Sequence, residues 1–176
     1  MTPAWSQARS PFTYGGWTAN AVRRLKYHDE PDRAQHMART MYPKIAEMGQ
    51  FDALVPVPLH TKRLAERGYN QSALLADAIS RATGIPVEHA LLRTTNTSPQ
   101  VKLSRDNRLE NLKGAFNVNP DWQAESGNRY LLIDDVRTTG ATLNECVITL
   151  VLAGTGPVSA LTFALDIANT PAASKP

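Results

Sequence analysis

Residues 130–142 read YLLIDDVRTTGAT: four apolar-leaning residues, two adjacent aspartates, then a turn of five small residues after Val136 and Arg137. A short apolar run bounded by turn residues is the pattern of a buried strand. The apolar-periodic stretch that follows predicts a helix from about Ala141 to Ala153. The order is strand, acidic pair, small-residue turn, helix. In open parallel sheets, ligands bind outside the carboxyl ends of the strands, so this order places Asp134 and Asp135 at a binding rim.

Working outward, the same alternation recurs. ALVPVPLH predicts a strand over Ala53 to Val57, ended by Pro56 and Pro58, which cannot donate ladder hydrogen bonds. NQSALLADAISRATG places Leu74, Leu75, Ala78, Ile79 and Ala82 on one helical face, with Gly84 as terminator. Val87 to Leu92, GAFNV (114–118), YLLID (130–134) and SALTFAL (159–165) supply further strands. Helix-spaced apolar residues run from Trp17 to Tyr27. A second helical stripe carries Met37, Met41, Ile45 and Met48, with Asp32 as its cap, Gly49 as its stop and Pro43 as a kink or break. Strands alternating with helices predict an α/β fold, a doubly wound, mainly parallel sheet with a small N-terminal helical or hood segment. Residues 1–13 contain two prolines and no periodicity and are expected to be a tail or linker end. The domain is expected over 14–168, with a C-terminal tail over 169–176.

Composition bounds the function. At 176 residues the chain fits one domain, and 42% hydrophobic residues can build its core. No apolar run reaches the roughly 18 residues of a membrane span, so no membrane insertion is expected, and the expected location is cytoplasmic. The single cysteine, Cys146, excludes an internal disulfide and a cysteine-built zinc site. A net charge of +3 permits an anionic partner without requiring one.

The chemistry at residues 134–142 follows from residue type. Backbone N–H groups and the positive end of a helix dipole converge at RTTGAT, which makes an anion cradle from Thr138, Thr139, Gly140, Ala141 and Thr142. Asp134 and Asp135 would repel a phosphate, so they must face hydrogen-bond donors or cations, and vicinal sugar hydroxyls meet that demand. Together the two parts describe a ribose 5-phosphate site; the alternative is a strand-ending acidic turn.

LLIDDVRTTGAT resembles the phosphoribosyl-pyrophosphate (PRPP) binding motif of type I phosphoribosyltransferases. VPVPLHTKRLAERGYNQSALLA, SPQVKLSRDNRLENLKGAF and RRLKYH together resemble the ComF family of phosphoribosyltransferase-like proteins, associated with DNA uptake in competence. The resemblance implies that Asp134 and Asp135 are the catalytic pair and contact the ribose hydroxyls, and that residues 138–142 hold the 5-phosphate. It places a pyrophosphate loop at Leu59, His60, Thr61 and Lys62, with Arg63 and Arg67 adding charge. A solvated basic helix start is the alternative there. Within NTSPQVKLSRDNRLENLKG (96–114), it implies a mobile hood in which Lys102, Arg105 and Arg108 close over pyrophosphate. Tyr14, Lys26 and Tyr27 resemble an opening segment of the family, on the acceptor side, while Trp17 and Tyr69 read as core or rim aromatics rather than stacking platforms. Many ComF relatives carry a four-cysteine zinc module ahead of the domain; no zinc is expected in this chain.

The resemblance implies magnesium as the cofactor, bridging pyrophosphate and ribose oxygens with waters completing its shell, so that few protein carboxylates need touch it and none is singled out as a ligand. Three readings stay open at this point. They are phosphoribosyl transfer to a nitrogen acceptor, PRPP or nucleotide binding without turnover, and weak single-stranded DNA binding during uptake.

Overall fold

The computed structural model describes residues 3–28, 30–95 and 114–168. Strands β3 (Ala53–Pro56), β6 (Tyr130–Arg137) and β7 (Val158–Leu165) lie side by side and parallel in the main sheet. Every residue of β7 and all but one of β6 are buried. That is the expected state of parallel strands covered on both faces.

One face is covered by α1 (Gly16–Tyr27), α2 (Arg33–Met48) and α4 (Gln71–Thr83), whose buried residues share a core with Leu131, Ile133 and Phe163. The other face is covered by α5 (Ala141–Leu152), which packs with Tyr130, Leu132 and Ala160. The architecture is therefore the α/β, mainly parallel sheet that the alternation predicts. Helix α3 (Thr61–Arg67) follows β3 and stands at the rim.

The N-terminal stretch departs from expectation. Residues 1–13 read as a tail, yet β1 (Ala8–Arg9) and β2 (Phe12–Thr13) pair in parallel with β7, Ala8 opposite Ala160 and Phe12 opposite Ala164. Two-residue strands with two prolines nearby carry too little periodicity to be seen locally. The free edge of β7 supplies the donors and acceptors that order them.

The middle strands also differ. The strand expected at Val87 to Leu92 contributes one bridge, Val87 to Leu54, on the outer edge of β3. The chain then leaves the sheet, and β4 (Leu91–Arg93) pairs antiparallel with β5 (Phe116–Val118) in a separate two-stranded sheet. Residues 91–93 and 116–118 are too short to declare by sequence which sheet they join.

Helix boundaries follow their punctuation with three exceptions. Pro43 does not split α2, which runs unbroken from Arg33 to Met48; Pro43 and Arg39, whose carbonyl loses its partner, both face solvent. Asp32 occupies the cap position without a side-chain cap bond; the helix is entered instead through a turn in which the Arg33 N–H donates to Glu30 O. Ala82 is exposed rather than part of the buried face of α4. Gly49 and Gly84 end their helices as expected.

Candidate functional site

The acidic pair lies inside β6 rather than at its end, because the strand expected to stop at Asp134 stays paired as far as Arg137 opposite Leu165. Successive strand side chains point to opposite faces, and the two carboxylates accordingly find different partners. Asp134 Oδ1 accepts from Ser72 Oγ at 2.8 Å and from the Asp135 N–H at 2.9 Å. Asp135 Oδ2 lies 2.8 Å from Lys26 Nζ at the end of α1. Both groups are buried, with residue exposures of 8% for Asp134 and 2% for Asp135. The donor and the cation that the pair faces come from the protein itself, Ser72 and Lys26.

Electrostatics follows from that closure. Burial, then the neighbouring Asp135 charge, pushes the Asp134 carboxyl up to about 7, against the opposing pull of Lys26 and Ser72. For Lys26, burial works against the ammonium, but Asp135 and Asp134 outweigh it and the group stays above its ordinary value. Asp134 therefore exchanges its proton near neutrality while Lys26 holds its charge. Cys146 is buried nearby, and burial followed by Asp134 raises its thiol well above the usual value, which keeps it an inert core residue.

The turn after β6 takes the predicted form. Gly140 caps α5 with φ 81°, a left-handed conformation that favours glycine, and the Ala141 N–H is directed at Thr139 Oγ1 at 3.3 Å. Thr138 is exposed, Thr139 and Thr142 are half-buried, and Gly140 and Ala141 are buried. What covers Gly140 is unexpected. A Cβ there would come within 2.6 Å of Trp5 Cη2, so the indole lies directly on the glycine. The Ala4 N–H donates to Asn144 Oδ1 at 2.8 Å in the first turn of α5, and Arg137 Cζ lies 6.0 Å from the centre of the Trp5 ring. The room left by the missing side chain of Gly140 is filled by Trp5 and not left open to an anion.

The basic loop divides between two cavities. His60 caps α3 by accepting the Lys62 N–H at Nδ1, 3.2 Å. Arg63 and Arg67, four residues apart and so on one helical face, line a cavity of 760 Å³ together with Lys26 and Tyr27. Leu59, His60 and Thr61 line a second, more apolar cavity of 490 Å³ on the other side of α3, and Lys62 is exposed and lines neither. The expected loop at Leu59 to Lys62 is thus separated from the two arginines read as adding charge to it, and it is Arg63 and Arg67 that stand together. Lys102, Arg105 and Arg108 lie outside the described residues.

Three contributors escaped sequence reasoning about the acidic pair and the turn. Ser72 is positioned by Asn70, which caps α4 by accepting the Ser72 N–H at 3.0 Å and donates to Val57 O at 3.0 Å, locking the helix start to the end of β3. Lys26, noted in the opening segment, meets Asp135 only in three dimensions. Trp5 lay in a stretch read as tail. An Asn-Gln-Ser sequence opening an apolar-periodic helix was a usable cap signal for Ser72; no local signal points to the other two.

Tyr69 and Trp17 behave as rim aromatics. The Tyr69 hydroxyl donates to Leu25 O at 2.6 Å, and Trp17 packs edge-on against Phe12 at 4.9 Å between ring centres. Among the described residues, no cluster of three or more His, Cys, Asp or Glu is arranged to hold a metal, and no helix is long and apolar enough to cross a membrane.

No family model matches the chain. It is similar to competence protein F of Haemophilus influenzae, with 34% identity over 131 residues, 70% of this chain and 57% of that protein. It is similar also to the DNA utilization protein YhgH of Escherichia coli, with 30% identity over 150 residues, 81% of this chain and 65% of that protein. The chain thus spans less than two thirds of the length of either relative. Among solved structures it is similar to a purine phosphoribosyltransferase of Pyrococcus horikoshii, with 15% identity, a TM-score of 0.47, and coverage of 88% of this chain and 78% of that one.

Proposed function

We propose that this chain, which belongs to the ComF family, binds PRPP at the end of β6 and transfers its phosphoribosyl group to an acceptor with release of pyrophosphate. The observation that carries the reading is the position of Lys26. Its ammonium pairs with Asp135 at 2.8 Å while the same residue lines the cavity that holds Arg63 and Arg67. Lys26 therefore links the buried acidic pair, whose carboxylates suit sugar hydroxyls, to a cavity whose cations suit phosphates.

In such a transfer the bond from ribose C1 to the pyrophosphate oxygen breaks, and the leaving group takes the electron pair. A positively charged ribosyl group remains for the acceptor nitrogen to attack. The carboxyl oxygens of Asp134 and Asp135 are suited to the ribose hydroxyls beside that cation, and Arg63 and Arg67 to the departing pyrophosphate. Magnesium, brought with PRPP, would neutralise the pyrophosphate charge. Both carboxylates are buried and engaged by Ser72 and Lys26, which suits an ion carried in by the pyrophosphate.

Calorimetry with PRPP and magnesium tests the reading. Asp134→Asn and Asp135→Asn should each weaken binding about tenfold or more, since a charge-assisted hydrogen bond is worth roughly 1.5–3 kcal/mol. Wild-type affinity in both folded variants would sink the ribose assignment. Pyrophosphate release across nitrogen acceptors then distinguishes transfer from binding alone. A second reading, nucleotide or single-stranded DNA binding without turnover, draws on the names of the relatives in competence and DNA utilization and on the engagement of both carboxylates inside the protein.

A further inference from the structure

The groups at the start of α5 that suit an anion are covered by the chain itself. Gly140, in its left-handed conformation, opens a helix of 12 residues, whose first N–H groups and dipole favour negative charge. At the end of β6, next to this turn, Arg137 is 5% exposed, and its buried Nε has no hydrogen-bond partner among the described residues. The charged group that acts on the guanidinium is another cation, Arg9. A buried donor left unsatisfied is unfavourable, and an anion would complete it.

The cover is the N-terminal stretch. The Trp5 ring lies on Gly140, with Cη2 2.6 Å from where a Cβ would stand, and its centre is 6.0 Å from Arg137 Cζ. Its tethers are few. On one side the Ala4 N–H donates to Asn144 Oδ1 at 2.8 Å; on the other the Ser6 N–H donates to Val158 O at 2.9 Å, and Ser6 Oγ meets Ser159 Oγ at 2.8 Å. Ala4 and Ser6 are exposed, so one bond holds the outer end of the stretch. We propose that residues 4–6 are an autoinhibitory strap, and that a phosphate enters the turn only when Trp5 leaves Gly140 and Arg137. The inference rests on the sugar-phosphate reading, which gives residues 138–142 the 5-phosphate, and it adds how that position is regulated. Closed, the strap buries the indole and leaves Arg137 Nε unsatisfied. Open, it exposes the indole, and the phosphate supplies acceptors to Arg137 and to the turn. Because the anion binds the open state alone, its apparent affinity is lowered by the fraction of chains that are open.

Affinities of ribose 5-phosphate and inorganic phosphate are measured by calorimetry for the wild type, Trp5→Ala, Trp5→Phe and Asn144→Ala. With the open state populated at about 10% or less, Trp5→Ala should bind ribose 5-phosphate roughly tenfold or more tightly than the wild type. Asn144→Ala unties Ala4 without altering the indole and should act in the same direction, while Trp5→Phe, which keeps a ring on the glycine, should gain less. Circular dichroism checks each fold. In the wild type the Trp5 indole N–H signal, identified by its loss in Trp5→Phe, should shift saturably as either ligand is added; this readout and Asn144→Ala decide the matter if Trp5→Ala does not fold. Tighter binding of inorganic phosphate but not of ribose 5-phosphate upholds the strap and removes the sugar part of the reading. Wild-type affinity for ribose 5-phosphate in the folded variants, with an unmoved Trp5 signal, overturns the strap and leaves the sugar-phosphate reading standing. No binding of either anion by the wild type or any variant overturns both.

Discussion

Gly140→Ala is expected to destabilise the protein for two separable reasons, one local and one tertiary. Gly140 has φ 81°, and an L side chain in the left-handed region costs roughly 1–2 kcal/mol. The new Cβ would also stand 2.6 Å from Trp5 Cη2, well inside van der Waals contact. Trp5 is half-buried against the α5 face of the core, so the ring cannot swing away without loss, and overpacking of that kind costs about 1–3 kcal/mol. The sum is roughly 2–5 kcal/mol in the wild-type background. In a Trp5→Ala background the clash is gone and only the backbone cost of about 1–2 kcal/mol remains. Urea denaturation of the four proteins, followed by far-ultraviolet circular dichroism, gives the cycle, with a constant m-value as the two-state check. The coupling should be about 1–3 kcal/mol, with Gly140→Ala less harmful when Trp5 is absent. An equal loss in both backgrounds would show that the indole does not bear on the glycine. If the cycle holds, Trp5→Ala should also change the affinity of the turn for ribose 5-phosphate, because Ala4 and Trp5 together hold the first turn of α5.

Lys26→Met leaves Asp135 buried without its cation. Breaking a fully buried pair costs about 3–5 kcal/mol, and because the Lys26 side chain is 23% exposed the expected loss lies near the low end of that range; unchanged stability would refute the pair. The Asp134 carboxyl is pushed up to about 7 in the folded chain, so between about pH 4 and 7 the folded state binds a proton that the unfolded chain has released. Its contribution to stability is therefore present at low pH and lost as pH rises through 7. Asp134→Asn should grow more stable relative to the wild type across that interval, whereas parallel profiles would exclude a raised carboxyl. Ser72→Ala removes a bond that favours the charged form and should move the Asp134 midpoint further up, read by carboxyl carbon NMR titration; an unmoved midpoint would place the hydroxyl elsewhere. Single-stranded DNA binding through Arg63 and Arg67 should show a log–log salt slope of about −1.4, and PRPP should compete. Tight binding indifferent to PRPP would place DNA on another surface.

The local patterns decided a great deal. YLLI, SALTFAL and ALVP are β-rich apolar runs whose period and length leave little alternative, and the capping Asn70 and the terminating Gly49 and Gly84 mark helix ends within a residue or so. Turn chemistry at Gly140 was equally legible, because a small-residue turn entering a helix has one economical backbone form. These features depend on neighbours a few residues away, so the sequence carries them directly. The companions of the site depend on contacts across the chain. Ala4 meets Asn144 across 140 residues, Ser72 meets Asp134 across 62, and Lys26 reaches Asp135 from a helix far earlier in the chain. The same holds for the split of Arg63 and Arg67 from His60 and Thr61, which follows from where α3 sits on the rim, and for the short β1, β2, β4 and β5, whose partners rather than propensities order them. Periodicity says which face of an element is apolar. Which charge then sits against a buried carboxylate, and which ring lies on a glycine, is set only when the sheet brings distant segments within a few ångströms, where burial makes each polar group's partner matter most.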